Sequence, residues 1–221
     1  MKKVDRSRYY TWLFQAAESF YERGNFDKAL KYFERLIKQH GKFLETSMKA
    51  DCYAYLGDIH LFNEDYPKSI DYLNRAIALD SEFAHYYYLL GMVFQTQENW
   101  RRAIEEFQRA VKLEPKNSIY LEELGRTYVF TGNLFEGEKR LRKAWRMDIT
   151  NIGAGVELAG VLLSLGKFKD TVTMVGEIFE SGENLHDGIV DYLENLKLDA
   201  ERGMEEKARR RRRQKKRTPK S

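Results

Sequence analysis

Residues 84–117 read AHYYYLLGMVFQTQENWRRAIEEFQRAVKLEPKN. Their apolar residues fall in two runs, Leu90 and Phe94 first, then Ala103, Phe107 and Ala110. Spacings of four and seven put each run on one stripe of a helix. Between the runs lies Asn99–Trp100, a side chain able to cap a helix start followed by a ring that can pin the turn. Pro115 marks the end, because proline has no N–H with which to continue a helix. The segment predicts a helical hairpin.

The same marks recur 34 residues away in both directions. Leu56, Gly57, His60, Ser69, Leu73 and Ala76 come earlier, and Leu124, Gly125, Tyr128, Gly137, Leu141 and Ala144 later. The turn signal recurs at Asn25–Phe26, Asp65–Tyr66 and Asn133–Leu134. Small residues (Ala29, Ser69, Ala103, Gly137, Thr171) mark close helix crossings, and large ones (Phe20, Phe33, Phe94, Phe107, Tyr128) fill the space between. A period of this length means stacked hairpins, each burying its apolar face on its neighbours.

The order of a large residue, Leu–Gly, an aromatic, a small residue, an aromatic, Ala and then Pro resembles the tetratricopeptide repeat. That resemblance implies an all-α fold, an α-solenoid of about five antiparallel helix-pair repeats with a C-terminal capping helix. The repeats are expected at 10–43, 50–83, 84–117, 118–151 and 152–185, after a lead-in at 1–9. The first and last are degenerate, and Leu44–Lys49 reads as a six-residue insertion. Beyond 185 the period stops, while Ile189, Leu193, Leu196, Ala200 and Met204 continue at helical spacing. Residues 186–206 are therefore expected to cap the last repeat, and 207–221 to form a disordered basic tail.

The formal net charge of +4 hides an asymmetry. Ten of the 38 Lys and Arg residues lie between Lys207 and Lys220, where no acid occurs, so residues 1–206 carry a net charge of −6. A basic end on an acidic body leaves three readings open for Arg209, Arg210, Arg211, Arg212, Arg213, Lys215, Lys216 and Arg217: contact with nucleic-acid phosphates, contact with an anionic membrane surface, or a solubilising tail or import signal with no polyanion contact. No ring is interleaved among them, so base stacking is not expected.

The start, MKKVDRSRYYTW, has no apolar core or small-residue cleavage site of an export signal. No run approaches the roughly 20 apolar residues of a transmembrane helix, so a cytoplasmic protein is expected. The lone Cys52 rules out an internal disulfide framework. The four histidines (His40, His60, His85, His186) form no i, i+4 pair and have no partnered cysteine. Gly153-Ala-Gly155 lacks the third glycine and preceding strand of a dinucleotide fingerprint, and reads as a small-residue helix start. No catalytic, cofactor or metal site is expected.

In the family that the chain resembles, the first helix of each repeat lines the concave face. Carried over to this sequence, the groove positions include Phe14, Glu18, Tyr21 and Glu22, then Asp51, Asp58 and Phe62. The next repeats supply His85, Tyr88 and Met92, then Glu122, Arg126 and Phe130. Rings and carboxylates dominate, which suits a protein segment with apolar anchors and basic residues. The Lys/Asn/Arg carboxylate clamp of the chaperone-binding members is absent, since those places hold residues such as Phe14, Glu18 and Asp58. The expected function is a non-enzymatic scaffold or adaptor that binds a peptide or helix in the groove. The alternative is a nucleic-acid- or ribosome-associated factor that contacts phosphates through the tail.

Overall fold

The computed structural model describes residues 6–181 and 185–217, and the side chains of 7–181 and 185–214. The described residues are helical apart from short turns. The helices are α1 (Arg6–Glu22), α2 (Phe26–Arg35), α3 (Thr46–Phe62), α4 (Tyr66–Leu79), α5 (Ala84–Thr96) and α6 (Trp100–Leu113). They continue with α7 (Ser118–Phe130), α8 (Leu134–Met147), α9 (Ile152–Ser164), α10 (Phe168–Ser181) and α11 (Asp187–Arg217). The fold is an all-α stack of helix pairs, of the α-solenoid class. Helices α1–α6 form one compact unit ending at Glu114, and α7–α11 a second beginning at Pro115.

Every hairpin turns in the same way. The residue before the cap takes a left-handed backbone at Gly24, Glu64, Glu98, Gly132 and Gly166, with φ between 56° and 78°. In four of the five the cap side chain then accepts from the N–H three residues on: Asn25 from Lys28, Asp65 from Lys68, Asn99 from Arg102 and Asn133 from Glu136. Each cap satisfies an N–H that the helix start would otherwise leave without a partner. Three of the five left-handed positions hold glycine, which adopts that backbone without steric cost.

The Leu–Gly mark has a packing cause. A Cβ on Gly57, Gly91 or Gly125 would come within 2.7 Å of Leu73, 2.6 Å of Phe107 or 2.8 Å of Leu141. The first helix of each pair thus offers bare backbone to a large side chain of the second. In the first unit, Leu13, Ala17, Ala29, Phe33, Leu36, Leu56 and Ile59 build a buried cluster. In the second unit, Leu141, Leu158, Leu162, Val175, Ile178 and Leu193 do so. Trp145 joins them over Gly155, where a Cβ would meet its ring at 2.8 Å, and the indole N–H donates to Glu177 at 3.1 Å.

Three boundaries differ from the sequence reading. Helix α1 begins at Arg6, inside the expected lead-in. The insertion is largely helical: Thr46–Lys49 add a turn to the front of α3, after a π-helical segment at Leu36–His40. A wider turn of this kind takes up extra residues without breaking the helix.

The third difference is the tail. Lys207–Arg217 continues α11 as helix. Arg, Lys and Gln are good helix formers, and no proline lies between Lys207 and Arg217. The pairs Glu205–Arg209 (3.3 Å) and Glu206–Arg210 (3.7 Å) support the helix at i, i+4 spacing. Residues 218–221, which the sequence reading also assigns to the tail, lie outside the described residues.

Helix α11 packs on α9 and α10 and buries Leu193, Leu196 and Ala200. Among the described residues, no helix is long and apolar enough to cross a membrane.

Candidate functional site

Helix α3 carries Asp51, Tyr55 and Asp58, whose spacings of four and three place them on one face. Each takes part in a phenol–carboxylate hydrogen bond to a neighbouring repeat. The Tyr55 hydroxyl donates to Glu18 of α1 at 3.1 Å, and Tyr21 of α1 donates to Asp58. From the other side, Tyr86 of α5 donates to Asp51 at 2.8 Å. Burial first, and then the facing carboxylate, pushes the Tyr21, Tyr55 and Tyr86 hydroxyls well above the ordinary phenol range. All three therefore act as donors. The rings are held as firmly: Tyr55 stacks on Phe33 with centroids 4.8 Å apart and meets Tyr21 edge-on at 4.9 Å.

Tyr21, Asp51, Tyr55, Asp58 and Tyr86, with Ala54, Phe83, His85 and Leu89, line a cleft of about 280 Å³ within the first unit. None of the lining residues is Lys or Arg. A carboxylate offers about four acceptor directions, so a single phenol donor leaves Asp51 and Asp58 able to accept more. His85 stacks on Tyr88 at 5.5 Å. The cleft walls lower its pKa by desolvation, against the opposing pull of Asp58 and Glu114. The imidazole is thereby biased towards its neutral form.

Of the expected groove residues, Tyr21, Asp51, Asp58 and His85 line this cleft. Glu18 reaches it through Tyr55, and Tyr88 through His85. Met92 is half-buried and Glu22 exposed, and neither lines it. Phe14 is half-buried and does not line it; its ring stands edge-on to Phe33 (5.8 Å) and Tyr55 (6.1 Å). Packing on two rings removes more of its apolar surface from water than an open groove would. Phe62 is 67% exposed, but it lies against Phe26 at the hairpin turn (4.5 Å) and outside the cleft.

Sequence reasoning missed the lining residues Tyr55, Phe83, Tyr86 and Leu89. The signal for Tyr55 was available, since it stands four residues after Asp51 and three before Asp58 on one helix.

Glu122, Arg126 and Phe130 belong to the second unit. Arg126 is taken up internally, facing Glu122 (2.6 Å), Glu123 (3.0 Å) and Glu157 (3.5 Å). Glu122 is buried against Gly153, where a Cβ would lie 2.5 Å from its carboxylate oxygen. Glu122 and Arg126, both expected in the groove, are thus joined in one ion cluster, in which the partly exposed guanidinium compensates buried carboxylates. Phe130 is exposed at the end of α7.

On α11, Arg209 and Arg210 pair with Glu205 and Glu206, and Arg211, Arg212 and Arg213 are exposed. The side chains of Lys215, Lys216 and Arg217 lie outside the described residues. Among the described residues, no group of three or more His, Cys, Asp or Glu could hold a metal ion.

Two family models, both described as tetratricopeptide repeat, match residues 9–82 and 84–117. The chain belongs to the tetratricopeptide repeat family. Solved structures agree in fold. The tetratricopeptide repeat chain aligns with PilF of Pseudomonas aeruginosa at a TM-score of 0.71 and 16% identity, over 88% of this chain and 90% of that one. MamA of Desulfovibrio magneticus RS-1 aligns at 0.62 and 18% identity, over 80% and 93%. YrrB, described as a TPR protein with an unusual peptide-binding site, aligns at 0.59 and 17% identity, over 76% and 84%. No curated protein matches the chain significantly.

Proposed function

We propose that this tetratricopeptide repeat protein is a non-enzymatic scaffold whose first unit binds a segment of another protein in the α1/α3/α5 cleft. The segment carries a Lys or Arg beside an apolar or aromatic residue. The observation that carries this reading is the pairing of Asp51 and Asp58 with three tyrosine rings in a cleft lined by no cation. Carboxylates attract the charged head of a basic side chain, and ring faces favour it as well. Phe83 and Leu89 offer the apolar side of the same cleft. Because the phenols are already fixed by hydrogen bonds, little side-chain freedom remains to be lost on binding. The peptide-binding site ascribed to YrrB, which shares this fold, agrees with such a use.

The test is a peptide array displaying all four combinations of basic or acidic and aromatic or small residues. The chain should retain peptides that join a basic to an aromatic residue and reject acidic ones. Equal retention of basic and acidic peptides contradicts the proposal.

Affinity for such a peptide should also fall as the pH drops below the ordinary imidazole value of 6.5. Protonated His85 adds a positive charge to the cleft, and its lowered pKa sets the loss below that value. Binding titrations from neutral to mildly acid pH, repeated with His85→Gln, check this. The variant should lose the acid-side decline.

A second reading is favoured by the exposed row Arg211–Arg213 on the helical end of α11. That row contacts the phosphates of a nucleic acid without reading its sequence.

A further inference from the structure

The basic end of α11 is anchored to the body of the second unit. Gly203 lies against Phe168, whose ring would stand 2.5 Å from a Cβ at that position. One turn later, Lys207 donates to the Gly166 carbonyl at 3.2 Å, with its ammonium 5.1 Å from the centre of the Phe168 ring. Met204, Lys207, Ala208 and Arg211 follow at i, i+3, i+4 and i+7, one face of the helix. Together with the turn from Gly166 into α10, this face walls a cleft of about 480 Å³.

The chemistry of this cleft is opposite to that of the first unit. Lys167, Lys169, Lys207 and Arg211 line it, against a single carboxylate, Asp170. Lys167 is engaged with Glu138 at 2.5 Å, and Asp170 lies 3.8 Å from Arg142. Lys169 and Arg211 remain to face a ligand, with Lys207 held at the cleft wall by the Gly166 carbonyl. The start of α10 adds the positive end of its helix dipole. Residues more than 30 apart in sequence thus converge on one cationic surface, and Arg212 and Arg213 follow Arg211 around the exposed side of α11.

We infer that this cleft and the exposed arginines form a composite site for the backbone phosphates of an RNA strand. The inference rests on the second reading above and adds to it a fixed, folded half of the site, with Lys169 as its outlying contact. A row of cations suits a row of phosphates: Lys207 to Arg213 spans about 9 Å along the helix. A bilayer fits less well, because residues 207–217 contain only Ala208 as an apolar residue, and a membrane-lying helix needs an apolar face. With no ring interleaved along the basic run, contact is to phosphate and not to bases.

The test is fluorescence anisotropy with labelled oligo(U) on the full chain, beginning at about 50 mM salt. Wild type should bind with a steep salt dependence. Lys169→Glu should weaken binding about fivefold and lower the salt slope by about one phosphate contact. Lys197→Glu, an exposed control on α11 away from the cleft, should bind as wild type does. The combined Arg209→Ala/Arg210→Ala/Arg212→Ala/Arg213→Ala variant tests the tail by itself and should also bind more weakly.

If the loss is confined to the arginine variant and Lys169→Glu matches the control, the composite site is overturned and the tail reading stands. Failure of wild type to bind RNA at low salt overturns both. Retention on phosphatidylserine vesicles without RNA binding overturns the choice of occupant.

Discussion

Phe107→Ala is expected to lower the unfolding free energy by about 3–5 kcal/mol. The ring is fully buried and rests on the bare backbone of Gly91. Helix backbone on that side cannot close over the void, so the cavity should persist and the cost should fall in the upper part of the range. The same contact predicts a change of sign. Gly91→Ala alone forces a methyl within 2.6 Å of the ring and should cost about 1–3 kcal/mol. In the Phe107→Ala background the clash is gone, and the better helix propensity of alanine should make the change stabilising by about 1 kcal/mol. Urea unfolding of the four proteins in a double-mutant cycle measures this coupling. Equal effects of Gly91→Ala in both backgrounds would show that the ring does not stand against that glycine.

The second large effect concerns the ligand. Asp58→Asn keeps an oxygen that can accept from Tyr21 but removes the charge, and Asp51→Asn does the same opposite Tyr86. Stability should therefore change little, because the phenols keep acceptors and pack as before. Affinity for a peptide carrying a basic and an aromatic residue should drop about 30-fold for each change, a loss of about 2 kcal/mol of charge pairing in a partly desolvated cleft. The double variant should lose less than the product of the two, since both carboxylates act on one cation. Titration calorimetry with one array-selected peptide gives all four constants. Melting curves alongside separate lost binding from lost folding.

The features that recur along the chain were legible in its sequence because each has a local cause. Leu–Gly followed 16 residues later by a large apolar residue is the sequence trace of Gly57–Leu73, Gly91–Phe107 and Gly125–Leu141. The Asn and Asp caps likewise act within three residues of themselves. What escaped notice depends on contacts between repeats. Tyr55 with Glu18 and Tyr86 with Asp51 are separated by 37 and 35 residues. Such pairings follow from how neighbouring hairpins rotate against one another, and the one-repeat pattern does not encode that rotation.

Charge misled in a similar way. Glu122 looks like a surface residue in sequence, yet Gly153 leaves room for its carboxylate to be buried, and the partly exposed Arg126 pairs with it. The helical tail was hidden by composition: five arginines in a row suggest a solvated coil until the anchors at Gly203 and Lys207 are seen.

The most direct measurement is two-dimensional NMR of the full chain during titration with the array-selected basic–aromatic peptide. The account predicts saturable shifts centred on the amides and rings of Tyr21, Asp51, Tyr55, Asp58, His85 and Tyr86, lost when Asp51→Asn and Asp58→Asn are combined. Shifts centred elsewhere, or unchanged by those two substitutions, would contradict it.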